Sequence, residues 1–113
     1  MSTYPLHEQR STVADANGVA TVKLGPTRTS ERWLVESVAV ESTSSKLVPE
    51  LREYLGNPDL SHLTGTSRTG NLDSGINEPP LVVESGENIV YLWTGCDVGA
   101  ECQVTISGRQ ELP

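Results

Sequence analysis

The chain has 113 residues, the size of a single domain, and a formal net charge of −7. Hydrophobic residues make up 35% of it, with two Trp, three Tyr and no Phe, which is enough for one modest core. Eight Lys and Arg residues are scattered among fifteen Asp and Glu. Nucleic-acid and membrane surfaces attract concentrated basic charge, so we expect neither as a partner. We also expect no spanning helix and no signal peptide, because long apolar runs are missing and the first ten residues are polar.

The first 18 residues are polar and contain Pro5 and the turn signal Asp15-Ala16-Asn17-Gly18. This composition predicts an extended N-terminal arm over residues 1–18 and a folded domain over residues 19–113. Two interpretations of the arm stay open. It is either a frayed terminus or a segment that packs on a neighbouring subunit.

Alternation of apolar and polar residues with a period of two dominates the rest of the chain. It predicts strands at Val19–Leu24, Arg32–Thr43, Leu47–Leu55, Thr64–Thr69, Leu81–Val83, Ile89–Trp93 and Cys102–Ile106. Leu47–Leu55 also fits a helical turn, but Pro49 disfavours a helix interior, so a strand is favoured. Residues 60–80 are otherwise predicted to be a surface loop, with glycines at positions 65, 70 and 75.

Three of these strands indicate how the sheets are arranged. Arg32–Thr43 has apolar and polar residues on both faces, which indicates a central strand that is covered on one side and partly on the other. The last two strands are predicted to pair as a hairpin through the turn Asp97–Glu101. About seven short strands without intervening helices predict an all-β fold, a small antiparallel β-sandwich of the jelly-roll or Ig-like type.

The two cysteines, Cys96 and Cys102, flank the turn of the predicted hairpin. A zinc site needs about four Cys or His ligands, and His7 and His62 are distant in sequence, so we expect no metal site. The spacing suits a disulfide across the hairpin in an oxidising compartment and a reduced pair elsewhere, and both states stay open. We do not expect a catalytic thiol, because no cationic residue adjoins either cysteine in the sequence.

Two short stretches resemble catalytic or metal-binding motifs. Asp59, Ser61 and His62 are the residue types of a hydrolase triad, but triad members normally converge from distant positions, so we expect a turn. Residues 71–78 contain several oxygen-bearing side chains, but their spacing departs from that of an EF-hand loop. We therefore expect a turn with capped backbone groups there, and no calcium site.

The remaining candidates are carboxylates and aromatic residues. No spacing selects a catalytic pair from the glutamates Glu36, Glu41, Glu50 and Glu53. Four aromatic residues are expected to fill the core, and their exposure would instead suggest a sugar-binding platform: Trp33, Tyr54, Tyr91 and Trp93. The residues therefore predict no enzyme, no catalytic residue and no cofactor.

Several segments, in their order along residues 18–109, are similar to those of small virion proteins of tailed phages that infect actinobacteria. The segments are Gly18–Pro26, Glu31–Val35, Val38–Thr43, Thr69–Ser74, Pro80–Glu87, Trp93–Ala100 and Val104–Gly108. They consist of turns and core strands and contain no catalytic signature. The cysteine pair is not part of the resemblance.

The resemblance implies a structural protein of the virion, without enzymatic activity. The role expected first is a capsid decoration protein on the outer surface of the major capsid protein shell, contacting it through residues 1–18 and Leu60–Pro80. A homo-oligomer, such as a trimer at capsid threefold positions, would fit this role. A minor tail or baseplate component is the alternative in the same setting, and a carbohydrate-binding module is the alternative of another class.

Overall fold

The computed structural model describes residues 2–67 and 70–113, and these residues form an all-β structure. The strands are β1 (Ser2–Val13), β2 (Ala20–Leu24), β3 (Arg32–Ser42), β4 (Glu50–Leu55), β5 (Leu63–Ser67), β6 (Leu72–Val83), β7 (Ile89–Thr94) and β8 (Glu101–Leu112). A single 3₁₀ turn, Leu60–His62, precedes β5 within this part of the chain. None of the helical structure described there is long and apolar enough to cross a membrane.

The strands form two four-stranded antiparallel sheets that pack face to face. The first sheet has the order β1-β8-β3-β6 and the second has the order β2-β7-β4-β5. The first strand thus pairs with the eighth, the second with the seventh, the third with the sixth and the fourth with the fifth. A long antiparallel hairpin with these four strand pairs, folded over on itself into two sheets, is a jelly roll. The predicted β-sandwich is confirmed, and of its two named types the strand order matches the jelly roll, not the immunoglobulin fold.

The segment predicted as an arm contains an edge strand of the first sheet. Residues Ser2 to Val13 run in continuous antiparallel register with Leu112 to Glu101 of β8. Leu6 is 3% exposed and belongs to the core, which anchors the strand. The remaining side chains of β1 are half-buried or exposed, so the polar sequence reflects an edge strand with little of its surface covered.

The predicted hairpin at the C-terminal end is wrong. β7 lies in the second sheet between β2 and β4, whereas β8 lies in the first sheet between β1 and β3. Residues 95–100 therefore cross from one sheet to the other. The predicted turn is present in this crossing, where the Ala100 amide donates to the Asp97 carbonyl oxygen at 3.1 Å and Gly99 has a φ of 80°. Alternation along a strand identifies its buried face but not the neighbour with which it pairs.

The region predicted as a surface loop, residues 60–80, contains β5 and most of β6. Both are outermost strands of their sheets, which is where glycine and proline are tolerated within a strand. Gly75, Pro79 and Pro80 lie in β6 and obscured it in the sequence. Of the strand predicted at 64–69, residues 64–67 belong to β5, and residues 68 and 69 lie outside the described residues.

A β-bulge in β3 explains why its sequence places apolar and polar residues on both predicted faces. The register of β3 with β8 shifts between Val35 and Ser37, leaving Glu36 as the extra residue, whereas the same step faces residues 77–80 of β6. The shift reverses the alternation, so Val35 before the bulge and Val40 after it are both buried in the same core. The strand is central, as predicted, and its buried apolar residues face one side, whereas Leu34 and Ala39 lie on the other.

The core lies between the inner faces of the two sheets. Its largest side chains are Trp93 and Tyr91, both 0% exposed, and Trp33, 4% exposed. Aliphatic residues from both sheets complete the cluster: Leu6, Val22, Leu24, Val35, Val40, Leu51, Val83, Ile89, Val104 and Ile106. At roughly 25 cal/mol per Å² of apolar surface, burying this cluster is the main favourable contribution to folding.

Candidate functional site

The Asp59, Ser61 and His62 group forms a capped turn, as predicted. The Asp59 carboxylate accepts a hydrogen bond from the Ser61 amide at 3.0 Å and another from the Ser61 hydroxyl. It also lies 3.1 Å from His62 Nδ1. The hydrogen bond from the Ser61 side chain is the first cause that lowers the pKa of Asp59. Both partners are bound to the acid, whereas a triad needs the imidazole between the hydroxyl and the acid.

The oxygen-bearing stretch at residues 71–78 lies mostly in β6 and is not the turn that was predicted. Asn77 Nδ2 donates to the Val35 carbonyl oxygen at 3.2 Å, and the Ser74 amide donates to Asp73 Oδ1 at 2.8 Å. Among the described residues, no group of three or more His, Cys, Asp or Glu side chains could hold a metal ion. The Asn77 side chain thus links β6 to the backbone of β3. Residues 73–75 and 77 also line a cleft between the two sheets.

The aromatic residues do not form a surface platform. Trp33, Tyr91 and Trp93 are core residues, as predicted. Trp93 Nε1 donates to the Gly70 carbonyl oxygen at 3.1 Å inside the protein. Tyr54 is also buried, at 3% exposure, but lies outside the main core cluster. A sugar platform needs exposed ring faces, so burial of both tryptophans counts against that interpretation.

Cys96 and Cys102 meet between the two sheets. Both are free thiols, 3% and 0% exposed, and their sulfur atoms are 3.8 Å apart. Burial, followed by the neighbouring Cys102, raises the pKa of the Cys96 thiol to about 12. The thiol is protonated at neutral pH and is therefore a weak nucleophile.

Four exposed apolar side chains lie in residues 60–76, and others lie elsewhere on the surface, among them Leu47, Val48 and Val98. Leu60, Leu63, Leu72 and Ile76 are exposed by 77%, 36%, 73% and 82%. They lie in the 3₁₀ turn, in β5 and in β6, and these two strands are the outermost strands on one side of the sandwich. We call this surface, residues 60–67 and 72–83, the β5–β6 side.

A cleft of about 170 Å³ opens between the two sheets on the β5–β6 side. Val38, Val40 and Leu51 supply its apolar surface. Gly65 of β5 and Gly75 of β6 both line it, and neither has a side chain to fill the gap between the sheets. A Cβ atom on Gly75 would meet nothing within 4 Å, so the space beside it is open.

Glu53 and Tyr91 lie in the cleft as directly opposed residues of β4 and β7. Thr64 Oγ1 donates to the Glu53 carboxylate at 2.7 Å. The buried Tyr91 hydroxyl lies close to this carboxylate. Burial, and then the charge of the nearby Glu53 carboxylate, raises the pKa of Tyr91, so the phenol is protonated at neutral pH. The Glu53 carboxylate thus acts on the phenol both through its charge and as a hydrogen-bond partner.

No sequence pattern distinguishes Glu53 from the other glutamates. Glu36 forms an ion pair with Arg109 at 2.8 Å, and Glu50 forms one with Arg52 at 2.7 Å. Glu53 lines the cleft, and its position there depends on the pairing of β4 with β7. The five-residue spacing of the glycines at positions 65, 70 and 75 was visible in the sequence, but the sheet topology was needed to show that Gly65 and Gly75 line the same cleft.

Comparison with known proteins adds no relative to this description. No family model matches the chain, and no curated protein matches it.

Proposed function

We propose that the chain is a virion structural protein, specifically a capsid decoration protein that binds the outer surface of the major capsid protein shell. The resemblance of its ordered segments to small phage virion proteins supports this choice. The jelly roll is compatible with it, since viral capsid domains use this fold, but lectin domains use it too. Because the fold is compatible with both functions, the exposed surface of the molecule has to distinguish between them.

The observation that carries the proposal is the apolar surface of the β5–β6 side. Ile76 and Leu72 project from an edge strand and are 82% and 73% exposed. Large apolar side chains gathered on one side of a small, acidic protein are typical of a contact surface. The Leu60–Pro80 segment, expected from sequence to contact the shell, contains this surface.

Strand β1 supplies a second edge for contacts. It is the outermost strand at the opposite side of the same sheet, so the unpaired edges of β1 and β6 face away from each other. A protein held at both edges can bridge neighbouring shell subunits. Many copies, whether single or associated as trimers, would then convert weak contacts into firm attachment through avidity.

Two other functions would be distinguished by different observations. A minor tail or baseplate component would use the same kind of surface, and the number of copies per particle distinguishes it. A carbohydrate-binding module would present exposed aromatic rings, whereas Trp33 and Trp93 are buried. We therefore do not propose the carbohydrate-binding function.

The test is cosedimentation of the purified protein with shells of its phage that were assembled without it. We expect saturable binding at a fixed ratio to the major capsid protein. The double substitution Leu72→Ser and Ile76→Ser should weaken this binding by about tenfold or more, because contact surfaces depend on a few apolar anchors. Val98→Ser is the matched control, since Val98 is 71% exposed but lies in the 95–100 crossing.

Failure of the unmodified protein to bind at micromolar concentration would contradict the decoration role. Equal losses for the double variant and the Val98→Ser control would contradict the assignment of the contact surface. Deleting residues 1–18 is a poor test, because it would remove the strand that covers the edge of β8.

A further inference from the structure

The outer edge of β6 between Leu72 and Ile76 is an apolar strand edge without a partner strand among the described residues. Leu72 and Ile76 are 73% and 82% exposed. Proteins usually protect such an edge with charged residues, proline or a covering segment, because it pairs readily with a further strand. The stretch from Leu72 to Ile76 contains no proline, and Asp73 is its one charged residue. This edge is therefore available for strand pairing.

The backbone groups of residues 72, 74 and 76 point away from the sheet to which β6 belongs. The Ser42 amide donates to the Asn71 carbonyl oxygen at 2.9 Å, so residue 71 bonds to β3. Because this orientation alternates along a strand, residues 73 and 75 also bond to β3, and residues 72, 74 and 76 present their N–H and C=O groups outward. The Ser74 amide accordingly donates to the Asp73 carboxylate at 2.8 Å, in place of a neighbouring strand.

The residues of this edge are arranged symmetrically about Ser74, so the edge is complementary to itself. An antiparallel copy related by a twofold axis at Ser74 would place Leu72 opposite Ile76 of the second copy, and Ile76 opposite its Leu72. Asp73 would lie opposite Gly75 of the second copy, so no two charges would be directly opposed. A Cβ atom on Gly75 would meet nothing within 4 Å, which leaves space for the opposing Asp73 side chain.

We propose that two copies of this chain associate by antiparallel pairing of their β6 strands across a twofold axis at Ser74. Residue 72 would pair with 76, 74 with 74 and 76 with 72, and each pair would exchange both of its backbone hydrogen bonds. The Ser74 amide would then donate to the Ser74 carbonyl oxygen of the second copy instead of to Asp73. The two four-stranded sheets that contain β6 would become one continuous sheet.

The size and charge of the contact determine its strength. It would bury Leu72 and Ile76 of both copies and one short ladder, which is less than the roughly 1,200 Å² at the lower limit of standard interfaces. The net charge of −7 on each copy adds repulsion. We therefore expect the free protein to dimerise only at high concentration, and more strongly at high salt, because salt screens the repulsion.

The pairing does not rest on the proposed function, since it needs only a second copy of the chain. Leu60 and Leu63 lie in the 3₁₀ turn and in β5, outside the proposed ladder, and would stay available for contact with the shell. A dimer attached through both copies would also gain affinity for the shell by avidity. Loss of the dimer is thus a second reason why the variant with Leu72→Ser and Ile76→Ser should bind shells weakly.

The first experiment is sedimentation velocity of the intact, reduced protein over concentrations from about 1 µM to about 1 mM, at low and high salt. We expect a reversible shift from monomer to dimer that occurs at lower concentration in high salt. A protein that stays monomeric throughout this range, or that associates beyond the dimer, would overturn the proposal.

Proline substitutions test whether strand pairing holds the dimer together. Ser74→Pro removes the amide at the axis without removing a bond to β3, and should weaken the dimer by about tenfold or more. Ser11→Pro in β1, the other edge strand of the same sheet, is the matched control. The Ala14 amide donates to the Ala100 carbonyl oxygen at 2.8 Å, so by alternation the amide of residue 11 also points outward, and this variant should dimerise normally.

The variant with Leu72→Ser and Ile76→Ser should also lose the dimer, and it keeps the proposal testable if Ser74→Pro fails to fold. Thermal unfolding of each variant establishes that it is folded. A dimer that is unchanged in a folded Ser74→Pro variant, or unchanged in the double variant, would overturn the proposal.

A cysteine at the axis tests the register. Directly opposed residues that exchange backbone hydrogen bonds have Cα atoms about 5.5 Å apart, which a disulfide can span. Ser74→Cys should therefore form disulfide-linked dimers with oxidised glutathione, whereas Ser11→Cys should not. Absence of cross-linking through residue 74, or equal cross-linking of the two variants, would overturn the proposed register.

Cosedimentation with shells separates this inference from the proposed function. If the free protein dimerises through β6 but does not bind shells, the pairing stands and the decoration role fails. If the protein binds shells but is monomeric in solution at every concentration, the pairing fails and the decoration role stands.

Discussion

Glu36 determines which side chains of β3 reach the core, although its own side chain lies on the surface. As the extra residue of the bulge, it opposes the step between Ser107 and Gly108 of β8. The Gly108 backbone passes so close to β3 that a Cβ atom there would lie 2.0 Å from the Leu34 carbonyl oxygen. The bulge therefore requires glycine at position 108.

We predict that Gly108→Ala destabilises the protein by about 2–4 kcal/mol, because the collision is with backbone that cannot move independently. Gly75→Ala in β6 of the same sheet is the matched control, since a Cβ there meets nothing within 4 Å. Urea unfolding of both variants measures the difference. Equal stability of the two variants would contradict the proposed register of the bulge.

Asp97 connects two loops at one end of the sandwich. Its carboxylate accepts hydrogen bonds from the backbone amides of Ser45, Lys46 and Leu47 at 2.9, 3.0 and 3.1 Å. These bonds, with that of Lys46 the largest contribution, lower the pKa of Asp97 below its ordinary value of 3.8. The ionised form is favoured by folding, so this contribution to stability is complete above the ordinary pKa.

We predict that Asp97→Asn lowers the urea midpoint at pH 7. The difference from the unmodified protein should shrink as the pH falls below about 4, since the unfolded chain then takes up a proton that the folded chain resists. Glu41→Gln, which removes a charge from the exposed surface of β3, is the control. A difference that stays constant from pH 7 to pH 2.5 would contradict this role of the Asp97 charge.

At the scale of elements, the cysteine pair joins the two sheets where the chain crosses between them. Cys96 follows β7 of the second sheet and Cys102 lies in β8 of the first. A bond between their sulfur atoms, which are 3.8 Å apart, would fasten the sheets at this end. The sequence suggested a bridge within one hairpin, whereas the structure gives the same pair an intersheet position.

We predict that a thiol oxidant such as glutathione disulfide converts this pair to a disulfide. Two thiols lose two protons and two electrons, and the oxidant is reduced to two glutathione molecules. The bridge should add about 2 kcal/mol of stability, which addition of a reductant removes. The high pKa of Cys96 makes oxidation slow at neutral pH, since the thiolate is the reacting species. Free thiols that persist after prolonged oxidation, titrated in denaturant, would contradict the prediction.

Element by element, alternation predicted the strands with a well-defined buried face. β2, β3, β4, β7 and β8 were all located from it. β1 and most of β6 were missed, because an edge strand buries little and tolerates polar residues, glycine and proline. The cleft could not be predicted either. Glu53 and Tyr91 are far apart in sequence, and only strand pairing brings them together.

At the scale of the whole molecule, the jelly roll has two different sides. On one side β1 and β2 close the sandwich with the buried Leu6 and Ala20. On the other side β5 and β6 expose apolar residues and leave a cleft between the sheets. The proposed docking function depends on the β5–β6 side, where apolar residues are exposed.

The measurement that tests the central claim most directly is the number of copies of this chain in purified virions, determined by quantitative mass spectrometry against the major capsid protein. The decoration role predicts on the order of hundreds of copies per particle, in a fixed ratio set by shell symmetry. At most a few dozen copies would indicate a tail or baseplate component, and absence of the chain from the particle would contradict a virion role altogether.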